Sequence, residues 1–216
     1  MAELVTVEVD PALAANEPDE EVQDLLRSSP GRNLGIDYLP GALDLDATAF
    51  PVDPQFAGRV LWLDALINNV DRSWRNPNLL FWHRQPYLID HGAALTFHHN
   101  WPAFDAQRIA TRPYDAGEHA LIASHPDLDG ADAALAPLVT APALDDVLAL
   151  VPDAWLTDEA GFDSPAAVRS AYREAVLARA TAHELWLPPL REMARQGGAR
   201  RVPVDRNNRP SWLDRS

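Results

Sequence analysis

Residues 61–95, LWLDALINNVDRSWRNPNLLFWHRQPYLIDHGAAL, pass from an apolar helical repeat through a polar loop into two β-prone runs. Upstream of them, Asp53-Pro54 offers an N-cap followed by a proline suited to the first helical turn. Phe56, Val60, Leu63, Ile67 and Val70 then recur at helical spacing, which predicts one core-facing stripe. The helix delivers the chain to Asn68, Asn69 and Asp71, which read either as simple C-capping residues or as a loop serving a site. Beyond it, Leu79 to His83 and Tyr87 to Asp90 predict a hairpin that turns through Arg84, Gln85 and Pro86. With His83 opposite Tyr87, Leu80 falls opposite Asp90 and Asn78 lies diagonally beside it. The hairpin mouth then gathers Asn78 and Asp90 next to the loop that bears Asp71 and Asn76.

Outward from this stretch, Glu3 to Val9 alternates and stops at Asp10-Pro11, as a strand followed by a turn does. Such a strand needs a neighbour. Glu20 to Arg27 predicts a short helix, and Ser28 to Gly41 an ordered loop or extended segment. Asp132 to Val139, Ala141 to Leu150 and Ser164-Pro165 onward to Trp186 read as helices; Pro188 and Pro189 predict an interruption before a short helix to Gln196. The fold class expected is α+β, predominantly α-helical, with one small hairpin.

The polar residues of the central stretch come in a chemically telling order. Asp71 and Asn76 are five residues apart, the separation of the Asp and Asn in a kinase catalytic loop. Asp90, in Ile89-Asp90-His91-Gly92, ends a strand and precedes a glycine, as a metal-holding Asp-x-Gly does. Phosphoryl transfer asks for a base near an acceptor hydroxyl and oxygen ligands for Mg²⁺, and Asp and Asn supply both. Asn78 competes with Asn76 as the amide ligand. Taken singly these are common turn residues, and a purely structural loop is the bland alternative.

Composition bounds the reading. The 216 residues suffice for one full core, 47% are apolar with seven Trp, and no apolar run has bilayer length. With no Cys and no basic, apolar leader, the expectation is a soluble, cytoplasmic protein without disulfides or thiolate metal sites. A net charge of −14 opposes nucleic acid and anionic membranes, except along the basic stretch from Arg191 to Arg215. That stretch reads as a solvated or partner-facing extension. All eighteen basic residues are Arg, so the lysine that kinases set against ATP phosphates is absent from this sequence. His91, His98 and His99 invite a zinc site, but adjacent strand positions point apart, which favours packing roles. Trp62, Trp74, Trp82 and Trp101 crowd this stretch and favour core packing over base stacking, with Trp74, in a polar loop, the exception, and Arg72 and Arg75 are placed to hold phosphate or pair with acids.

The stretches VDPALAANEPDEEVQDLLRSS, NLGIDYLPGAL, LDALINNVDRSWRNPNLLFW and LIDHGAALTFHHNW resemble the HipA-like kinases, bacterial relatives of the phosphoinositide kinases in design. The resemblance implies a kinase C-lobe over residues 1–196. Within it, 1–50 would form a hinge-like strand and linker, 51–101 the catalytic and metal-binding loops, and 102–196 a helical subdomain, with 197–216 a basic, disordered tail. It implies Asp71 as catalytic base, with Arg72 and Asn76 as its catalytic companions. Asn76, Asn78 and Asp90 would bind the nucleotide, and Asn76 and Asp90 would hold the metal. ATP and Mg²⁺ are the implied cofactors, and the acceptor is an unidentified protein or small molecule. Such kinases begin with a strand-built lobe that carries the missing lysine and a phosphate loop. The expectation is therefore an incomplete kinase, weak or inactive by itself, with a noncatalytic pseudokinase or interaction module as the alternative. A truncated reading frame, a lobe supplied by another chain and a true remnant remain the three explanations.

Overall fold

The computed structural model describes residues 4–45, 47, 51–157 and 159–197, so most of the basic tail lies outside the described residues. The first strand, β1 (Leu4–Val9), finds its neighbour in β2 (Gly31–Ile36), an antiparallel partner that lies within the expected loop or extended segment Ser28 to Gly41. Between them Asp19 caps α1 (Glu20–Ser28) by accepting from the backbone of Glu21 and Val22. This ribbon leaves Leu34 and Ile36 more than half exposed, at 57% and 56%. A second sheet joins β3 (Leu43–Asp44), β4 (Leu79–Trp82) and β5 (Gln85–Leu88) in that order, all antiparallel. The single hairpin expected is thus one part of two small sheets.

The hairpin register differs from the expected one. His83 and Arg84 both have positive φ, 47° and 65°, and form a two-residue turn that pairs Trp82 with Gln85 and Leu80 with Tyr87. Such a tight turn matches the strand twist, whereas the three-residue connection through Pro86 does not occur. Pro86 instead sits in the edge strand, where a missing N–H is tolerated.

Asp53 caps α2 (Pro54–Ile67) through a 2.9 Å bond from the Phe56 amide, with Pro54 in the first turn as expected. The helix is buried over Ala57, Leu61, Asp64 and Ala65; of the predicted stripe Val60 is buried, Phe56, Leu63 and Ile67 are half-buried, and Val70 lies beyond the helix and is exposed. Sequence periodicity finds an apolar face; the burial of the other face by later helices is a tertiary fact. α3 (Ala106–Thr111) precedes α4 (Leu128–Leu135), which starts earlier than predicted because Asp127 caps it, and ends in a 3-10 turn at Ala136–Leu138. α5 (Ala141–Ala149) is capped by Thr140, and α6 (Pro165–Thr181) by Ser164.

The expected break at Pro188 and Pro189 is corrected: the chain breaks at Ala182, and α7 (His183–Gln196) runs through both prolines to an αL cap at Gly197. Both prolines face solvent, where the carbonyls they leave unpaired are reached by water. The main core joins α2, α4, α6 and α7 through Leu61, Trp62, Leu128, Ala180, Trp186 and Leu190. Arg179, buried in α6, donates to the carbonyls of Ala65, Ile109 and Arg112 and so ties α2 and α3 to that core. The resulting architecture is α+β, mostly helical, with small antiparallel sheets.

Candidate active site

The loop after α2 is built around one buried carboxylate, Asp64, which is not among the expected site residues. Asn68 ends the helix in the left-handed region, with its N–H on Asp64 O, so the capping reading holds for it. Asn69 is fully buried and donates its side-chain amide to Asp64 Oδ1 at 2.9 Å. Asp64 Oδ2 accepts from Arg72 Nε at 2.6 Å and lies 3.0 Å from His119 Nε2, and none of these side chains is exposed beyond 1%. His119 Nδ1 accepts from the Leu121 amide, which leaves the ring proton on Nε2, directed at Asp64. Tyr114 completes the cluster by donating its hydroxyl to Asn69 O at 2.8 Å.

Arg72, expected among the catalytic residues, is therefore not free to meet a phosphate. Its guanidinium is committed to Asp64, to the carbonyl of Asn78, and to His91 Nε2 at 3.1 Å. It works as a brace between α2, the loop after it and the Asp90 segment. Because Arg can only donate, His91 accepts through Nε2 and is held neutral in this contact. Arg75 also pairs with an acid, Glu118 at 2.7 Å, and its guanidinium covers the Trp74 ring at 4.2 Å.

On this brace the loop presents Asp71, Asn76 and Asn78 together. Asp71 Oδ2 accepts from Asn76 Nδ2 at 2.9 Å and from Asn78 Nδ2 at 3.2 Å, which orients both carboxamide oxygens away from it. Reciprocal backbone bonds between Ser73 and Asn76 close the loop, and the 118–120 segment clips it through Trp74 N to Glu118 O and Ala120 N to Arg72 O. Asp90 joins from the other strand, since Ile89 N donates to Asn78 O at 3.0 Å. Asp90 and Asn78 both have positive φ, a conformation that Asp and Asn tolerate, and the Asp90 carboxylate accepts from the Gly92 amide at 3.2 Å. The neighbourhood of Asn78 and Asp90 is thus reached by a different register from the one expected.

His98 packs away from this group, with Nδ1 3.1 Å from the Tyr172 hydroxyl, and His99 lies against it. Among the described residues, no three His, Cys, Asp or Glu side chains form a ready cation cage. The donors on offer are a carboxylate and two carboxamide oxygens, which suits Mg²⁺, a hard ion that keeps waters and phosphate oxygens in its shell.

Burial raises the Asp64 pKa, but the hydrogen bonds from His119 and Arg72, with their charges, overcome it and hold the carboxyl below its usual range. Burial lowers His119, only partly offset by Asp64. His91 is lowered by desolvation and then by the Arg72 charge, and His98 by desolvation and then by His99. All three histidines bind protons less readily folded than unfolded. Stability is therefore expected to fall as pH drops below about 6.5, the unfolded histidine value, and to fall again below about 3.9 as Asp64 takes a proton. Thermal unfolding between pH 7.5 and 5 measures this, with His119→Gln flattening part of the slope; a melting temperature that rises on acidification would contradict the neutral His119.

Residues 1–188 match the family model described as HipA-like kinase, and the chain belongs to that family. No curated protein and no solved structure matches it. No helix among the described residues is long and apolar enough to cross a membrane.

Proposed function

We propose that this domain is the C-lobe of a kinase that transfers the γ-phosphoryl of ATP to a hydroxyl acceptor. The observation that carries the reading is the Asp71 carboxylate, one oxygen of which is engaged by Asn76 and Asn78 while the other has no side-chain partner among the described residues and is open to a hydroxyl. In that role Asp71 orients the acceptor and takes its proton as the bond to phosphorus forms. Asn76 and Asp90 would hold Mg²⁺, with Asn78 beside them on the nucleotide. The ion, when bound, neutralises charge on the phosphate oxygens. Arg72 serves by position, keeping the loop and the Asp90 segment in register. We read residues 1–50 as hinge-like strand and linker, 51–101 as the site and 102–196 as its helical support.

With no Lys in these 216 residues, the counter-charge that they themselves can offer the α- and β-phosphates is arginine. The same observation favours a second reading, a pseudokinase that binds a partner without turnover. Calorimetry with Mg²⁺–ATP tests the site itself. Binding is expected to require Mg²⁺ and to weaken at least tenfold in Asp90→Asn with unchanged melting temperature. Equal binding by that variant, or no heat at millimolar nucleotide, would leave only the interaction module.

A further inference from the structure

The half-buried residues of the α2 stripe sit at the edge of the core, where they border an open groove. Phe56, Leu63 and Ile67 form one wall of a cavity of about 580 Å³, and Leu144, Val147 and Leu148 of α5 form the other. α5 packs on α6 and has no fully buried residue, so it stands off and leaves this trough open. The volume is ordinary for a small-molecule site. Its polar content is very low. Arg59 is the single charged residue of the lining, exposed on the same helix, and it takes part in none of the ion pairs among the described residues. The other polar wall atoms are occupied: Trp62 Nε1 donates to Asp132, and the Tyr172 hydroxyl lies on His98.

We propose that the groove binds one long-chain carboxylate, its chain along the α2 stripe and its head on Arg59. A protein partner would bring a polar rim and several hydrogen bonds, for which this wall offers no partners. One acidic head and an unbranched apolar tail use everything it presents. The length also fits: Phe56 to Ile67 spans about 16 Å at 1.5 Å per residue. That is close to the roughly 15 Å of one leaflet of a bilayer's hydrocarbon core. Leu88 and Leu95 line the groove too, one on each side of the Asp90 loop, so an occupant touches both roots of that loop.

The test needs no nucleotide and so stands or falls apart from the kinase reading. The full chain is titrated calorimetrically with laurate and with uncharged 1-dodecanol. Laurate is expected to bind one to one, and Arg59→Ala to weaken it about fivefold while dodecanol is unaffected, the size of one exposed ion pair. Leu144→Asn is expected to weaken both; where it does not fold, the exposed Val147→Asn replaces it. Absence of laurate binding at millimolar concentration, or an identical response of both ligands to Arg59→Ala, would overturn the proposal. So would a dimer in sedimentation that Leu144→Asn dissociates, since a second copy would then be the occupant.

Discussion

Asp64→Ala is expected to cost about 3–5 kcal/mol in unfolding free energy, enough to unfold a domain of ordinary stability at growth temperature. The Arg72 guanidinium would be left buried with no carboxylate, because Asp64 is its only acidic partner among the described residues and both side chains have 0% exposure. Asn69 and His119 would lose an acceptor at the same time. The ion pair need not itself be a large net source of stability, since desolvating two charges offsets much of their attraction. A double variant Asp64→Leu/Arg72→Met is accordingly expected to be more stable than Asp64→Ala. Urea unfolding of the three proteins decides it: a loss below about 1 kcal/mol in Asp64→Ala would show that Arg72 finds water or another acid, and that the loop is not braced as described.

Gly58→Ala should also destabilise, by about 2 kcal/mol or more, although alanine favours a helix by about 1 kcal/mol. A Cβ on Gly58 would lie 2.6 Å from the Asp127 carbonyl carbon and 3.0 Å from its nitrogen, closer than real contacts allow. The obstruction is backbone, and that backbone is held in place: Asp127 N donates to Pro54 O at 2.9 Å, and its side chain caps α4. Relief requires α2 and the start of α4 to separate. That opens the main core at Trp62, Ala65, Leu128 and Ala131. A neutral or stabilising Gly58→Ala in thermal unfolding would mean that these two segments do not approach so closely in solution.

Both variants act behind the candidate site rather than in it, and neither was visible as critical in the sequence. Asp64 sits in Leu63-Asp64-Ala65, inside an apolar helical repeat, and that was the available signal: an acid on such a face must be paired. Its partners lie 8 and 55 residues further on. Residue spacing alone does not select them. Arg72 illustrates the same limit, since a guanidinium next to Asp71 fits phosphate and carboxylate equally well until burial decides.

What the sequence determined by itself is what short-range chemistry controls. Asp53-Pro54, Thr140 and Ser164-Pro165 each mark a helix start because a cap closes its bond within three residues. The order Asp71, Asn76, Asp90 and the family membership also belong to the sequence. Tertiary structure alone decided the continuity of α7 through Pro188 and Pro189 and which face of α2 is covered. It also chose Asp64 as the partner of Arg72. The physical reason is common to all three: each depends on what solvent or side chain occupies the space next to a segment. That space is enclosed by residues remote along the chain.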